Sequence, residues 1–89
     1  MKLDTWELIS SIIEAGGVLE DGAYRVRNSS GQLHRDDGPA IVHPDGRQYW
    51  YRNGQLHRDD GPAIVYPDGA QYWYRKSRPI LRLAERSTK

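Results

Sequence analysis

The sequence predicts a mainly β protein: an antiparallel β-hairpin repeat meander preceded by one N-terminal capping α-helix. Three observations carry this. First, "GQLHRDDGPAIVHPDGRQYWYRN" from Gly31 to Asn53 is followed at once by "GQLHRDDGPAIVYPDGAQYWYRK" from Gly54 to Lys76, so a 23-residue unit is written twice. Second, each unit is punctuated by explicit hairpin turns. Third, the apolar spacing is helical before Gly16 and alternates after Val18. At 89 residues the chain is one domain, with a helix at 3–15, a degenerate repeat at 18–30, repeats at 31–53 and 54–76, and a basic C-terminal tail at 77–89.

The helix comes first. Asp4 stands where an N-cap belongs, Glu7 three residues on completes a capping-box-like pair, and Leu8, Ile9, Ile12 and Ile13 recur at helical spacing before Gly16 and Gly17 end the run. Its apolar stripe suits a lid over one end or face of the repeats, or a partner-binding surface.

The turns come next. "HPDGR" and "YPDGA" read as three-residue hairpin loops in which Pro sets φ, Asp bonds back to the backbone and Gly takes the left-handed bulge position. "RNGQ" at 52–55 is a two-residue hairpin signal with positive φ at both central residues. Together they place Ile41 opposite Tyr49 and Tyr51 opposite Leu56, with Ile41, Tyr49, Tyr51 and Leu56 on one face and Ala40, Val42, Trp50 and His57 on the other. "VLEDGAYRVRNSSG" from Val18 to Gly31 echoes the same unit, with Asp21-Gly22 for Asp45-Gly46, Tyr24 for Tyr49 and Arg27-Asn28 for Arg52-Asn53. Pro79 is expected to break the strand pattern. Ile80, Leu81 and Leu83 then alternate with Arg78, Arg82 and Arg86, either packing on the last strand or docking on an acidic surface.

Composition narrows the function. Phe is absent and the aromatic residues are Trp and Tyr, which suit half-exposed surfaces. There is no cysteine, which excludes a disulfide framework or a thiolate zinc site and points to a reducing, cytoplasmic setting. Asp4, Glu7 and Glu14 interrupt the N-terminal apolar stretch, so neither a signal peptide nor a membrane span is expected. The net charge is only +1, with an acidic head and six basic residues from Arg75 to Lys89, and no continuous basic stripe speaks for nucleic acid.

The 23-residue period, "YPDG" before an aromatic strand, then "NG", then His57 and Gly61 in a further turn, resembles a MORN-type repeat over roughly 18–76. It resembles in particular the small bacterial and phage type that carries the "HRDDGPA" variant. "YWYRNG" lacks the glycine that MORN repeats place two residues after the first tyrosine, and "LHRDDGPA" is longer and more acidic than their usual link. The resemblance implies hairpins stacked side by side, no catalytic residues, and a role as a scaffold or binding surface for proteins. Membrane lipid is a further ligand class that it implies for some members.

"HRDD" at 34–37 and 57–60 invites a metal or acid/base reading, but a catalytic site breaks symmetry and this segment is identical in both copies. The structural reading is that Arg35 and Arg58 pair with aspartates to form a polar ladder between stacked units. No nucleotide, metalloprotease or nucleophile-elbow motif is present, so neither an enzyme nor a cofactor nor a metal site is expected. The candidate partner-binding residues are Trp50 and Trp73, spaced about 9 to 10 Å apart in a sheet, the variable hairpin tip His43 and Arg47, and the basic Arg78, Arg82 and Arg86. The expected function is a non-enzymatic protein-binding module, an inhibitor or antidote against a bacterial defence complex such as a CRISPR effector, or against a toxin. An open array edge admits a homodimer. The alternative is a carbohydrate or cell-wall binder that stacks sugars on the tryptophans.

Overall fold

The computed structural model describes residues 5–80. The predicted N-cap Asp4 and the tail residues Arg82 and Arg86 lie outside them.

Helix α1 spans Thr5–Glu14 and buries Leu8 and Ile12. It ends in a Schellman motif: Gly17 N donates to Ile12 O at 2.8 Å, Gly16 N donates to Ile13 O at 3.0 Å, and Gly16 has φ of 98°. A Cβ on Gly17 would lie 2.7 Å from the Ile12 carbonyl oxygen, which explains the second glycine.

Among the described residues ten short strands follow: β1 Val18–Glu20, β2 Ala23–Arg25, β3 Ile41–Val42, β4 Gln48–Tyr49, β5 Tyr51–Arg52, β6 Gln55–Leu56, β7 Ile64–Val65, β8 Gln71–Tyr72, β9 Tyr74–Arg75 and β10 Arg78–Pro79. Six form one antiparallel sheet in the order β1-β2-β3-β4-β7-β8, while β5-β6 and β9-β10 are separate two-stranded hairpins. The mainly β repeat architecture with one N-terminal helix is therefore as the sequence predicts, and Ile41 faces Tyr49 and Tyr51 faces Leu56 in the expected register.

The turns follow their chemistry. His43 N donates to Arg47 O and Tyr66 N to Ala70 O, both at 2.9 Å, and Gly46 and Gly69 take φ of 102° and 99°. Asn53 and Gly54 both have positive φ, as an Asn-Gly hairpin requires.

Three expectations are corrected. The tyrosine-tryptophan-tyrosine segment is not one strand in one sheet: Trp50 N donates to Ala63 O at 2.7 Å while Trp50 O accepts from His57 N at 3.0 Å, so the chain steps from the main sheet into the β5-β6 hairpin at that residue. The Ile41-Tyr49 and Tyr51-Leu56 pairs thus stand in different sheets, and the tyrosines are not a shared core; Tyr72 is 48% exposed. The degenerate repeat is also displaced by one residue from its predicted alignment. Val26 N donates to Ala40 O and Val26 O accepts from His34 N, the pattern of Trp50, so Val26 stands for Trp50 and Tyr24 for Gln48. Finally, Pro79 does not break the pattern. It lies in β10 opposite Tyr74, and Ile80 N donates to Trp73 O as His57 N does to Trp50 O, so the hairpin of a further unit extends into the predicted tail. Proline is tolerated in such an outer strand.

The core lies under α1, where Leu8, Ile12, Val26 and Val42 form a cluster packed by Ile9 and Tyr24. The helix touches β2 and β3. It is therefore a lid over the first part of the sheet.

Candidate functional site

The register places two rows of side chains across the main sheet. Leu19, Tyr24, Val42, Gln48, Val65 and Gln71 form one row, and Val18, Arg25, Ile41, Tyr49, Ile64 and Tyr72 the other. Helix α1 covers the first row at Tyr24 and Val42. Beyond it the same face opens into a groove of about 700 Å³. Gln48, Val65 and Gln71 form the floor, Thr5, Leu8 and Ser11 of α1 one wall, and Trp50 and Arg58 one end.

The "HRDDGPA" segments build the frame around this groove. Arg35 pairs through Nε with Asp37 at 3.1 Å, donates from Nη1 to Pro39 O at 3.4 Å, and donates from Nη2 to Ser11 Oγ on the helix at 2.7 Å. Arg58 repeats the first two contacts with Asp60 at 3.3 Å and Pro62 O at 3.1 Å, and its guanidinium lies 3.8 Å from the Trp50 ring centre, a cation-π contact. Its Nη2 has no acceptor among the described residues. A Cβ on Gly38 or Gly61 would stand 2.7 Å from Cζ of the adjacent arginine, so any larger residue there would displace the guanidinium.

The histidines join consecutive hairpins of the array. His34 Nδ1 accepts from Asn53 N at 2.9 Å and His57 Nδ1 from Lys76 N at 3.1 Å, while Nε2 faces Asp36 at 3.3 Å and Asp59 at 2.8 Å. A ring that accepts at Nδ1 leaves Nε2 as the donor, and His57 Nε2 makes that bond to Asp59 at 2.8 Å. Only the backbone N–H of residues 53 and 76 is used, which explains how Asn and Lys can alternate there. Arg52 bridges Asp36 at 3.6 Å and Asp59 at 3.2 Å. The hydrogen bonds from His57 and then Arg52 hold the Asp59 carboxyl below its ordinary range. Arg35 and Arg58 thus pair with aspartates of their own turns, and the arginine-aspartate bridge along the array is made instead by Arg52.

The predicted contact residues are scattered. Trp50 and Trp73 are half-buried, and Arg58 covers one face of the Trp50 indole. His43 and Arg47 sit at the β3-β4 tip, on the side of the sheet opposite the groove, and are engaged with each other: Arg47 Nη2 lies 3.2 Å from His43 Nδ1, Arg47 Nε bonds Asp45 at 3.0 Å, and His43 packs edge-on against Tyr49 at 5.6 Å. Burial and then Arg47 lower the His43 pKa. Tyr66 makes the equivalent edge contact with Tyr72 at 5.8 Å, so the difference between copies preserves a ring at this position. Arg78 is exposed in β10 and does not line the groove. No described group of three His, Asp or Glu side chains is arranged to hold a metal ion, and no helix among the described residues is long and apolar enough to cross a membrane.

Sequence reasoning read Arg58 only as part of a polar ladder and did not single out Gln48, Val65 or Gln71 as site residues. Their signal was the alternation along each strand. Its meaning depended on the helix covering one unit and stopping short of the next. Comparison of the chain with protein-family models, with curated proteins and with solved structures finds no match.

Proposed function

We propose that this chain is a non-enzymatic, MORN-like protein-binding module that acts by occupying a surface of another protein, as a small inhibitor or antidote. The observation that supports this reading most is the division of labour among its polar side chains. The side chains that resemble catalytic machinery are committed to structure: His34 and His57 tie one hairpin to the next, Arg52 bridges Asp36 and Asp59, and Arg35 and Arg58 brace their own turns through Asp37, Pro39 O, Asp60 and Pro62 O. What remains for a ligand is shape and apolar surface: the groove beside α1, together with exposed Trp6, Ile13, Val18 and Leu19. Exposed apolar surface of this kind marks protein contact in small domains. A block on a bacterial defence complex or a toxin fits such a surface by analogy, with the cytoplasm as the place of action. Sugar stacking is not favoured, because Arg58 already lies on the Trp50 ring.

The test is capture of partners from nuclease-treated bacterial lysate by the tagged chain, read by mass spectrometry, with light scattering on the recovered complex. A single partner in stoichiometric amount supports the proposal. Recovery of no protein, with binding of soluble glycans lost on Trp50→Ala and Trp73→Ala, refutes it.

A further inference from the structure

The groove occupies the place on one repeat that α1 occupies on the preceding one. Moving along the array by one unit takes Tyr24, Val26, Arg35 and Val42 onto Gln48, Trp50, Arg58 and Val65, since the hydrogen bonds Val26 N to Ala40 O and Trp50 N to Ala63 O correspond, as do the pairs Tyr24-Val42 and Gln48-Val65. The first set holds α1 through Val26, Val42 and Tyr24 and through the Arg35 bond to Ser11 Oγ. The second set lines the groove, and Arg58 presents the same Nη2 with no acceptor among the described residues.

We infer that the groove binds an amphipathic α-helix of a protein partner, laid beside α1 with two aliphatic residues four apart and a hydroxyl or carboxylate just before the second. This rests on the protein-binding reading and gives its partner a chemistry. The pattern is that of Leu8, Ser11 and Ile12, which solve the same problem one unit earlier. Spacing supports it: each unit adds two strands to the sheet, a step of about 9.6 Å, and packed helices sit about 8 to 10 Å apart. A helix one unit along therefore meets both the sheet and the wall formed by Thr5, Leu8 and Ser11. The groove volume, about 700 Å³, is on the order of that swept by two helical turns. The acceptor on the incoming helix satisfies Arg58, whose cation favours a carboxylate. Gln48 in place of Tyr24 makes this seat more polar than the first, as suits a surface that is open when unbound.

The probe is a fluorescein-labelled, lactam-stapled peptide with the Thr5–Glu14 sequence, titrated into the full chain by anisotropy and by amide NMR. Saturable binding with shifts at Gln48, Val65, Gln71 and the Arg58 Nε–H is expected. It should weaken by about tenfold or more, roughly 1.4 kcal/mol, with Gln71→Arg, an exposed position whose substitution blocks the groove without disturbing the core. Peptide in which the serine is replaced by alanine should also bind more weakly. No saturation by about 1 mM, shifts confined to the Tyr49 and Tyr72 side, or shifts at Val26 and Val42 from displacement of α1 would each overturn the inference. Peptide-free association of the chain through this groove, lost in Gln71→Arg by light scattering, also overturns it in favour of a second copy. If a partner is captured from lysate equally by Gln71→Arg and by the parent chain, the groove assignment falls while the protein-binding reading stands.

Discussion

Val42 and Val65 occupy the same position in two nearly identical repeats, yet only Val42 lies beneath α1. Replacing each by alanine separates the effect of sequence from that of the helix. Val42 is 0% exposed and contacts Leu8, Ile12 and Val26 in the core cluster, so Val42→Ala removes two methyl groups from a site that cannot be filled by water. Transfer contributes about 0.8 kcal/mol per group and the residual cavity about 1 kcal/mol, giving a loss of roughly 2.5 kcal/mol. Val65 faces the groove and is already partly solvated, so Val65→Ala should cost under about 1 kcal/mol. For a domain of this size each kcal/mol moves Tm by about 4 to 8 °C, which puts the two variants roughly 6 to 12 °C or more apart. Urea unfolding followed by tryptophan fluorescence, with thermal unfolding by circular dichroism, reads both. Equal losses at the two positions would refute the claim that the helix covers one repeat and leaves its neighbour open.

Other consequences follow from the frame. Gly61→Ala should force the Arg58 guanidinium off Trp50, because the new Cβ meets Cζ at 2.7 Å; unfolding in urea should show a loss of about 1 to 2 kcal/mol and the indole emission should change. Asn53→Lys, which copies the second repeat into the first, should change stability by less than about 0.5 kcal/mol, since only the residue 53 backbone N–H is used, whereas Gly54→Ala, at φ of 82°, should cost about 1 kcal/mol or more. Because burial and Arg47 lower the His43 pKa from 6.5, the unfolded chain takes up this proton first: stability should fall as pH drops through 6.5 towards the lowered folded value, and His43→Gln should flatten that slope in pH-dependent urea unfolding. The depressed Asp59 pKa acts in the same direction at lower pH: its contribution is present above the usual value of 3.8 and lost as pH falls through the folded value, so Asp59→Asn should remove part of the acid transition.

Much of the fold is legible because turn residues carry their own conformational requirements. Asn53-Gly54 and the two Pro-Asp-Gly loops determine where the chain reverses, and from them the Ile41-Tyr49 and Tyr51-Leu56 registers follow. What alternation did not reveal is the step between sheets at Trp50, since a backbone that bonds one neighbour through N–H and another through C=O has the same side-chain pattern as a straight strand. The one-residue offset of Val26 arises because Tyr24 matches Tyr49 by letter, whereas strand pairing puts it where Gln48 stands. Pro79 misled because proline loses a ladder donor only where a strand lies on that side. The pairing of Arg35 and Arg58 with aspartates of their own turns was legible from the repetition of charged residues, but the Arg52 bridge between Asp36 and Asp59 was not; nor was the groove, because it is defined by where α1 ends relative to Val65, a distance in space with no local signature in the chain.

The central claim is that α1 seats on the degenerate repeat and the first full repeat and stops short of the second. Methyl NOE spectroscopy on selectively labelled valine, leucine and isoleucine tests it most directly. The account predicts strong cross-peaks from Val42 to Leu8 and Ile12, with Val65 methyls showing none to Ile12 and remaining open to a soluble paramagnetic probe. Cross-peaks from Val65 to Ile12, or Val42 methyls as accessible to the probe as those of Val65, would contradict it.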